Sequence, residues 1–170
     1  MDNELTRRQL LGGGSGLLLA AGTLSSREAL AADGEPPPPP LEFAMKVTAD
    51  ITDAIPLGAS PAGDRRIIPI TGGKFEGPKL QGIILPGGED AQFDRSDGVT
   101  VFEARYWLKA SDGAVIKVVN RAVRGKGYLR TQPVFEAPVG PHDWLNGAIF
   151  VGTLSPGAAK QVVLRYYRVA

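Results

Sequence analysis

The sequence from Leu41 to Ala170 predicts an all-β domain, a single antiparallel β-barrel of about eight or nine short strands. Three observations favour this class. Apolar and polar residues alternate along most segments, turn-forming residues separate those segments, and no stretch of a dozen residues carries the apolar stripe of a helix. The first segment, LEFAMKVTADI, places Leu41, Phe43, Met45 and Val47 on one side, as a half-buried strand does.

A later segment, TGGKFEGPKLQGIILPGGEDAQF at residues 71–93, is dense in glycine, which raises the question of a phosphate site. A P-loop needs a Gly-x-x-x-x-Gly-Lys-Ser/Thr frame between a strand and a helix, and neither that frame nor the helix is present here. Gly72-Gly73, Gly77-Pro78 and Gly87-Gly88 are therefore interpreted as turns, bulges and tight barrel corners. The carboxylates beside them, Glu76 and Asp90, are less easily explained by architecture alone.

The second half of the domain reads as paired strands. DGVTVFEARYWLKASDGAVIKVVNR predicts a hairpin that turns at Asp112-Gly113, because Asp-Gly between alternating segments is a strong hairpin signal. GAIFVGTLSPGAAKQVVLRYYRVA repeats the pattern, with its turn near Ser155-Pro156-Gly157. Between these hairpins, PHDWLNG has room for one helical turn at most.

The first residues resemble an export signal. Arg7 and Arg8 precede an apolar run from Leu10 to Ala21, which is shorter than a membrane-spanning helix, and a small-x-small site follows at residues 29–31. This pattern predicts a twin-arginine signal peptide over residues 1–31, with cleavage after Ala31 and a periplasmic or secreted location. A retained membrane anchor is the alternative.

Five prolines, Pro36 to Pro40, come next and predict a stiff polyproline II spacer. The expected organisation is therefore a signal peptide over 1–31, a proline-rich linker over 32–40 and a barrel domain over 41–170.

Charge and composition exclude several kinds of partner. The chain has 19 basic and 18 acidic residues, so it lacks the single-signed field that drives nucleic-acid binding. It has no cysteine and one histidine, His142, so thiolate and multi-histidine metal sites are excluded. The sequence therefore predicts no metal, no cofactor, no nucleic acid and no stable membrane insertion after cleavage. Calcium or magnesium binding by carboxylates alone stays open. Homo-oligomerisation stays open.

One strand, VTVFEARYWLK, carries the main candidate site. Glu103 and Arg105 lie two residues apart, so they share one side of the sheet with Trp107, whereas Phe102, Ala104, Tyr106 and Leu108 share the other side and look like packing core. Inside a barrel the ion pair would be a polar group in an apolar cavity, as in many small-ligand sites. On an outer face it would be an ordinary surface pair.

Several segments together resemble a known family. RRIIPITGGKFEGPKLQGIILPGGED, FEARYWLKASDGAVIKVVNRA, YLRTQPVFEA and WLNGAIFVG, in this order, are similar to the bacterial and fungal family called domain of unknown function 3237. The resemblance implies a barrel related to that of allene oxide cyclase, a cofactor-free enzyme, and similar in shape to lipocalins. The positions that match the family pattern are Glu76, Asp90, Arg105, Tyr106, Arg130, Trp144 and Asn146. Glu103 stands where aspartate is common in the family.

These patterns and the resemblance together give the candidate site. The expected catalytic residues are Glu103, Arg105 and Glu76, and the expected ligand-binding residues are Tyr106, Trp107, Arg130, Trp144 and Asn146. Three functions stay open: a cofactor-free cyclase or isomerase that uses the Glu/Arg pair, a non-catalytic binder of a small apolar or phenolic molecule, and a structural or oligomeric barrel without a ligand. For Trp144 and Asn146 the alternative is structural, a tryptophan that plugs one end and an amide that satisfies loop backbone.

Overall fold

Alternating side chains give rise to ten β-strands within residues 36–170, the part of the chain that the computed structural model describes. The strands are β1 (Leu41–Ile51), β2 (Ile55–Ser60), β3 (Gly63–Glu76), β4 (Gln81–Ile84), β5 (Gly88–Asp94), β6 (Thr100–Ala110), β7 (Val115–Gly125), β8 (Tyr128–Glu136), β9 (Phe150–Pro156) and β10 (Gln161–Val169). A single 3₁₀ turn, Asp143–Leu145, is the helical structure in this range, as expected for PHDWLNG.

Eight of the strands close into an antiparallel barrel. Their order is β1-β10-β9-β8-β7-β6-β4-β3, and β1 pairs with β3 to complete the ring. The two remaining strands extend this wall: β5 fills the gap between β3 and β6 beside β4, and β2 pairs with β3. The predicted antiparallel barrel is confirmed: eight strands close the ring, within the expected eight or nine, and two more extend its wall.

The hairpin predicted at Asp112-Gly113 joins β6 and β7. Register pairs run from Thr100 with Arg124 to Lys109 with Val115, and Gly113 has a φ of 92°, which favours glycine. This hairpin matters for the site because it fixes which β6 side chains face the interior.

A bulge in β1 changes the predicted face of its first residues. The register shifts between Phe43 and Met45, so Met45 and Val47 face the core while Leu41 and Phe43 are exposed. The expectation that all four share one buried side was wrong, because an extra residue in a strand moves the side chains before it to the opposite face.

A second irregularity lies in β3, within the glycine-rich segment. The register with β1 skips Thr71, so both Ile70 and Phe75 point inward, although they are an odd number of residues apart. Gly73 permits the close approach of the two strands there: a Cβ at this position would lie 2.1 Å from the carbonyl oxygen of Thr48. The glycines here are architectural, as the sequence predicted.

The interior of the barrel is filled unevenly along its axis. One end, which we call the packed half, holds large buried side chains: Met45, Val47, Phe75, Ile84, Leu108, Ile116, Val118, Phe135, Phe150 and Tyr166. At the other end, the hollow half, inward positions of β1, β6 and β7 carry Ala49, Ala104 and Ala122, which leave a cavity.

The strands are not joined equally around the ring. β7 and β8 share nine register pairs, whereas β8 and β9 share one, Thr131 with Gly152. β1 and β10 are joined along most of their length, and the ion pair between Glu42 and Arg168 spans 126 residues of sequence.

The structure describes only the last residues of the predicted linker. Pro36–Pro40 are exposed and lie outside the strands, and β1 begins at Leu41. The twin arginine, the apolar run and the cleavage site predicted within residues 1–31 all lie outside the described residues. Within residues 36–170, no helix has the length and apolarity that a membrane crossing requires.

Candidate functional site

A cavity of about 350 Å³ occupies the hollow half. Side chains from β1, β3, β5, β6, β7, β9 and β10 line it, and most of them are apolar. The apolar wall includes Ile51, Ile68, Phe102, Leu154, Val162 and Leu164. A few polar groups converge on this space, which is the usual composition of a small-molecule site.

Two of these polar groups lie in one layer on either side of a small residue. In the sheet register Asp90 of β5 is paired with Ala104 of β6, and Ala104 is paired with Asn120 of β7. All three line the cavity. Because neighbouring strands lie about 4.8 Å apart, the carboxylate and the amide stand on strands about 10 Å apart, with only a methyl group between them.

Both polar groups have a buried atom that has no hydrogen-bond partner within residues 36–170. Asp90 Oδ2 accepts a hydrogen bond from Gln92 Nε2 at 2.6 Å, whereas in this part of the chain nothing donates to Asp90 Oδ1 or to Asn120 Oδ1. Asn120 is 3% exposed, so water does not solvate it freely. An unpaired buried polar group costs about 1–3 kcal/mol, which makes these two atoms candidates for contact with a ligand.

Burial perturbs the carboxyl group of Asp90. It raises the pKa of Asp90 to about 6, against the opposing effects of the Gln92 hydrogen bond and the positive charge of Arg66. The dominant cause is loss of solvation, which disfavours the charged form. A carboxyl group with this pKa changes protonation state near neutral pH.

A charged cluster closes the rim of the cavity above Asp90. Arg66 donates to Gln92 Oε1 at 3.0 Å and to Asp94 Oδ2 at 2.5 Å, and Arg124 donates to Thr100 Oγ1 at 3.0 Å. The Arg66 hydrogen bond is the main reason that the pKa of Asp94 is lowered to about 2. Asp90 and Asp94 thus lie on one face of β5 with opposite pKa shifts.

Tyr106 lines the cavity and contacts a second buried tyrosine, Tyr166. Tyr106 Oη and Tyr166 Oη are 2.7 Å apart, and both residues are buried. Burial is the main cause that raises the pKa of each above its ordinary value, so both hydroxyls stay protonated. Gly88 of β5 holds Tyr106 closely, since a Cβ at that position would lie 2.7 Å from the Tyr106 Cβ.

The leading sequence candidates, Glu103 and Arg105, lie outside this cavity. They project from the outer face of β6, where Glu103 accepts hydrogen bonds from Arg105 Nη2 at 2.5 Å and from Arg121 Nε at 2.8 Å. The Arg105 side chain is 65% exposed. The expectation that the pair lines the interior was wrong, because the other side of β6, with Phe102, Tyr106 and Leu108, supplies the core.

Three further candidates also lie on the outer surface. Glu76 forms an exposed ion pair with Lys46 at 3.3 Å, Trp107 is 46% exposed, and the Arg130 guanidinium lies over the ring of Tyr128. None of the three lines the cavity. Their strands present these positions outward by the same period-two alternation that turns their neighbours inward.

Trp144 and Asn146 lie at the opposite end from the cavity. Trp144 packs on Phe150 of the packed half, with ring centroids 5.9 Å apart. Asn146 accepts a hydrogen bond from the Ala137 backbone N–H at 2.8 Å and donates to the Ala137 carbonyl at 3.0 Å. These contacts match the structural alternative for both residues.

Of the residues predicted to bind a ligand, Tyr106 is therefore the one that lines the cavity. Sequence reasoning marked Asp90 but gave it no role, and it missed Asn120 and Tyr166. A signal was available: along β7, Asn120 falls in phase with the inward residues Ile116 and Val118, where an apolar residue is expected.

The fold and this cavity define a class, a small antiparallel β-barrel that is packed at one end and hollow at the other. The model of a family described as "Protein of unknown function (DUF3237)" matches residues 39–127 and 122–169. The chain belongs to this family, as its motifs implied.

Relatives of known sequence and structure agree with this assignment. A UPF0311 protein of Rhodopseudomonas palustris is 34% identical over 140 residues, which cover 72% of this chain and 92% of the relative. A β-barrel-like protein of Acinetobacter baumannii has a crystal structure that superposes with a TM-score of 0.73 at 33% identity, over 80% of this chain and 99% of that one. An enzyme from Penicillium herquei is similar with a TM-score of 0.68 at 26% identity, over 81% of this chain and 98% of that one.

Proposed function

We propose that the hollow half binds a small, largely apolar molecule that carries a hydroxyl or carbonyl group. The observation that carries this proposal is the pair of unpartnered oxygens, Asp90 Oδ1 and Asn120 Oδ1, that flank Ala104 in an apolar cavity. A ligand hydroxyl that donates a hydrogen bond to one of these oxygens recovers the free energy lost by its burial. A ligand carbonyl would instead accept a hydrogen bond from the hydroxyl of Tyr106, which also lines the cavity.

The size and the wall of the cavity support this proposal. About 350 Å³ is enough for a ligand of one to three rings, and the apolar wall supplies affinity while the few polar groups set orientation. The structural alternative, a barrel interior filled by its own side chains, fits the packed half but not the hollow one. The description of the similar protein from Penicillium herquei as an enzyme is compatible with a ligand site in this fold.

Export of the protein belongs to the same proposal. The twin arginine, the short apolar run and the small-x-small site support a periplasmic or secreted barrel that meets its ligand outside the cytoplasm. The relation to the allene oxide cyclase barrel rests on the sequence resemblance and is likewise a proposal.

Binding can be tested with 2-naphthol, an aromatic alcohol whose own fluorescence reports its environment. The full chain should bind it saturably, and Ala104→Phe, which places a ring between Asp90 and Asn120, should weaken binding at least about tenfold. Ala122→Leu fills the same cavity from β7 and serves as a second variant should Ala104→Phe fail to fold. The matched control is Glu103→Gln, one residue away on the outer face.

Equal affinity in the wild type, the cavity-filling variants and the control would contradict the proposed site. Loss of binding in the control as well would show that the probe binds on the outer surface. Thermal unfolding of each variant establishes that the barrel is intact in the samples compared.

A further inference from the structure

We propose that the hollow half catalyses proton transfer at a carbon next to a ketone carbonyl. This inference rests on the ligand site proposed above. In this reaction Asp90 is the general base and Tyr106 donates a hydrogen bond to the enolate oxygen that develops. The substrate class is a small apolar ketone with an acidic C–H bond beside its carbonyl.

The tyrosine pair has one hydroxyl proton more than its mutual hydrogen bond uses. Two hydroxyls carry two protons, and the contact between Tyr106 Oη and Tyr166 Oη uses one of them. Among the described residues neither hydroxyl has another hydrogen-bond partner, and only Tyr106 lines the cavity. When Tyr166 donates to Tyr106, the Tyr106 proton is free to bond an oxygen in the cavity, and the chain of two hydroxyls strengthens that bond.

The base and the donor lie at the spacing that such a reaction needs. Asp90 is paired with Ala104, and Tyr106 is the next inward residue along β6. The strand rise of about 3.3 Å per residue places Tyr106 about 7 Å further along the barrel, on the neighbouring strand. A carbonyl compound between them can direct its oxygen to the hydroxyl and its adjacent C–H bond to the unpartnered oxygen of Asp90.

The step balances without any other reactant. The Asp90 carboxylate takes the proton, the C–H electron pair becomes the carbon–carbon double bond of the enolate, and the carbonyl π electrons move to the oxygen that Tyr106 holds. The Asp90 carboxyl group then returns a proton to the same carbon, or to a conjugated one, which regenerates the carboxylate. The net result is exchange or isomerisation.

The surroundings of Asp90 make its carboxylate a stronger base than an exposed one. The charged and titratable groups that line the cavity with Asp90 or interact with it are Arg66 of β3, Tyr106 of β6, Arg124 of β7 and Tyr166 of β10. Asp94 lies four residues further along the same face of β5. Burial raises the pKa of Asp90 to about 6, so at neutral pH it is a carboxylate that is more basic than an ordinary one. A base whose pKa lies near the working pH is the most effective proton acceptor.

The test follows the exchange of the acidic protons of 2-tetralone in deuterium oxide by proton NMR, with the full chain. We expect saturable exchange above the buffer rate, a loss of at least about 100-fold in Asp90→Asn and at least about tenfold in Tyr106→Phe. The rate should rise with pH through about 6, as Asp90 ionises. Glu103→Gln should exchange as the wild type does.

Binding of 2-naphthol, which resembles the enol of 2-tetralone, is measured on the same samples. If 2-naphthol binds in the cavity but exchange does not exceed the buffer rate, the catalytic proposal is overturned and the ligand site stands. If neither is seen, both proposals fail. Exchange that survives in Asp90→Asn and Tyr106→Phe also overturns the assignment of these roles.

Tyr166 acts through Tyr106 and is a positioning residue. Tyr166→Phe keeps the buried ring but removes the hydroxyl that donates to Tyr106. It should lower the maximal exchange rate several-fold while KM for 2-tetralone stays unchanged, because the donor bond strengthens mainly as charge develops. An unchanged maximal rate would remove Tyr166 from the proposal.

Discussion

The two halves of the barrel interior are built from the same strands but differ in the size and polarity of their side chains. In the packed half, β6 and β7 contribute Leu108, Ile116 and Val118, each fully buried. Further along the same two strands they contribute Ala104, Asn120 and Ala122, and a cavity results. The strands continue through both halves, so side-chain size and polarity, rather than the backbone, set the difference.

This difference in filling assigns stability to the packed half of the barrel and the proposed ligand site to the hollow half. Large apolar side chains in the packed half supply burial energy, about 1.5–3 kcal/mol for each fully buried one. In the hollow half small side chains bury less apolar surface, and two polar atoms have no partner among the described residues, which is destabilising unless a ligand is bound. A barrel closed and packed at one end can tolerate this cost at the other.

Matched truncations should give the largest contrast between the halves. Leu108→Ala removes a fully buried side chain and should lower the free energy of unfolding by about 3–5 kcal/mol. Leu154→Ala enlarges a cavity that already exists and should cost less than about 1.5 kcal/mol, because fewer packing contacts are lost. Urea denaturation of both variants measures this. Equal losses would mean that the hollow half is packed in solution.

The two aspartates of β5 should respond to pH in opposite directions. The pKa of Asp90 is raised from 3.8 to about 6, so the native state holds a proton that the unfolded chain releases. Stability from this group is therefore present below about pH 3.8 and lost as the pH rises through about 6. At pH 7 Asp90→Asn should be more stable than the wild type by on the order of 2 kcal/mol, a gain that vanishes near pH 4.

Asp94→Asn, at the rim of the cavity, should show the opposite effect of pH on stability from Asp90→Asn. Because the pKa of Asp94 is lowered to about 2, its contribution is present above 3.8 and lost as the pH falls through about 2. This variant should be less stable than the wild type at pH 7. Unfolding curves from pH 3 to pH 8 compare the two. A stability loss at pH 7 in Asp90→Asn would show that Asp90 is not buried as described, and a stability gain at pH 7 in Asp94→Asn would show that the Arg66 ion pair does not stabilise the fold.

The smallest effect is expected on the outer face. Glu103→Gln weakens two ion pairs with arginines that are largely exposed, so the unfolding free energy should change by less than about 1 kcal/mol. Ligand binding and exchange should not change. A large loss of either would return Glu103 to the functional site and would mean that the cavity is not where ligands bind.

The fold was largely predictable from sequence because strand periodicity and turn residues act locally. The Asp112-Gly113 hairpin and the single helical turn at Asp143–Leu145 follow from such local signals. The bulge after Phe43 did not, since an extra residue in a strand depends on its partners across the sheet.

The site was predictable only in part, for a related reason. The alternation along β6 correctly separated Phe102, Tyr106 and Leu108 from Glu103, but it could not show that the first set encloses a cavity. Cavities arise where small residues of different strands meet in one layer, as Ala104 and Ala122 do. That coincidence depends on register between strands, which no single segment encodes.

Closure of the ring through β1 also sets the kinetics of folding. The contacts of β1 with β10 join residues as far apart in sequence as Glu42 and Arg168, 126 positions, whereas the β6–β7–β8 meander forms from neighbouring segments. Bringing distant segments together costs chain entropy before their contacts form and offset it. Folding is therefore expected in the millisecond-to-second range that is typical of proteins with high contact order. We therefore expect the meander to form early and β1 to dock late, so that substitutions in β1 change mainly the unfolding rate.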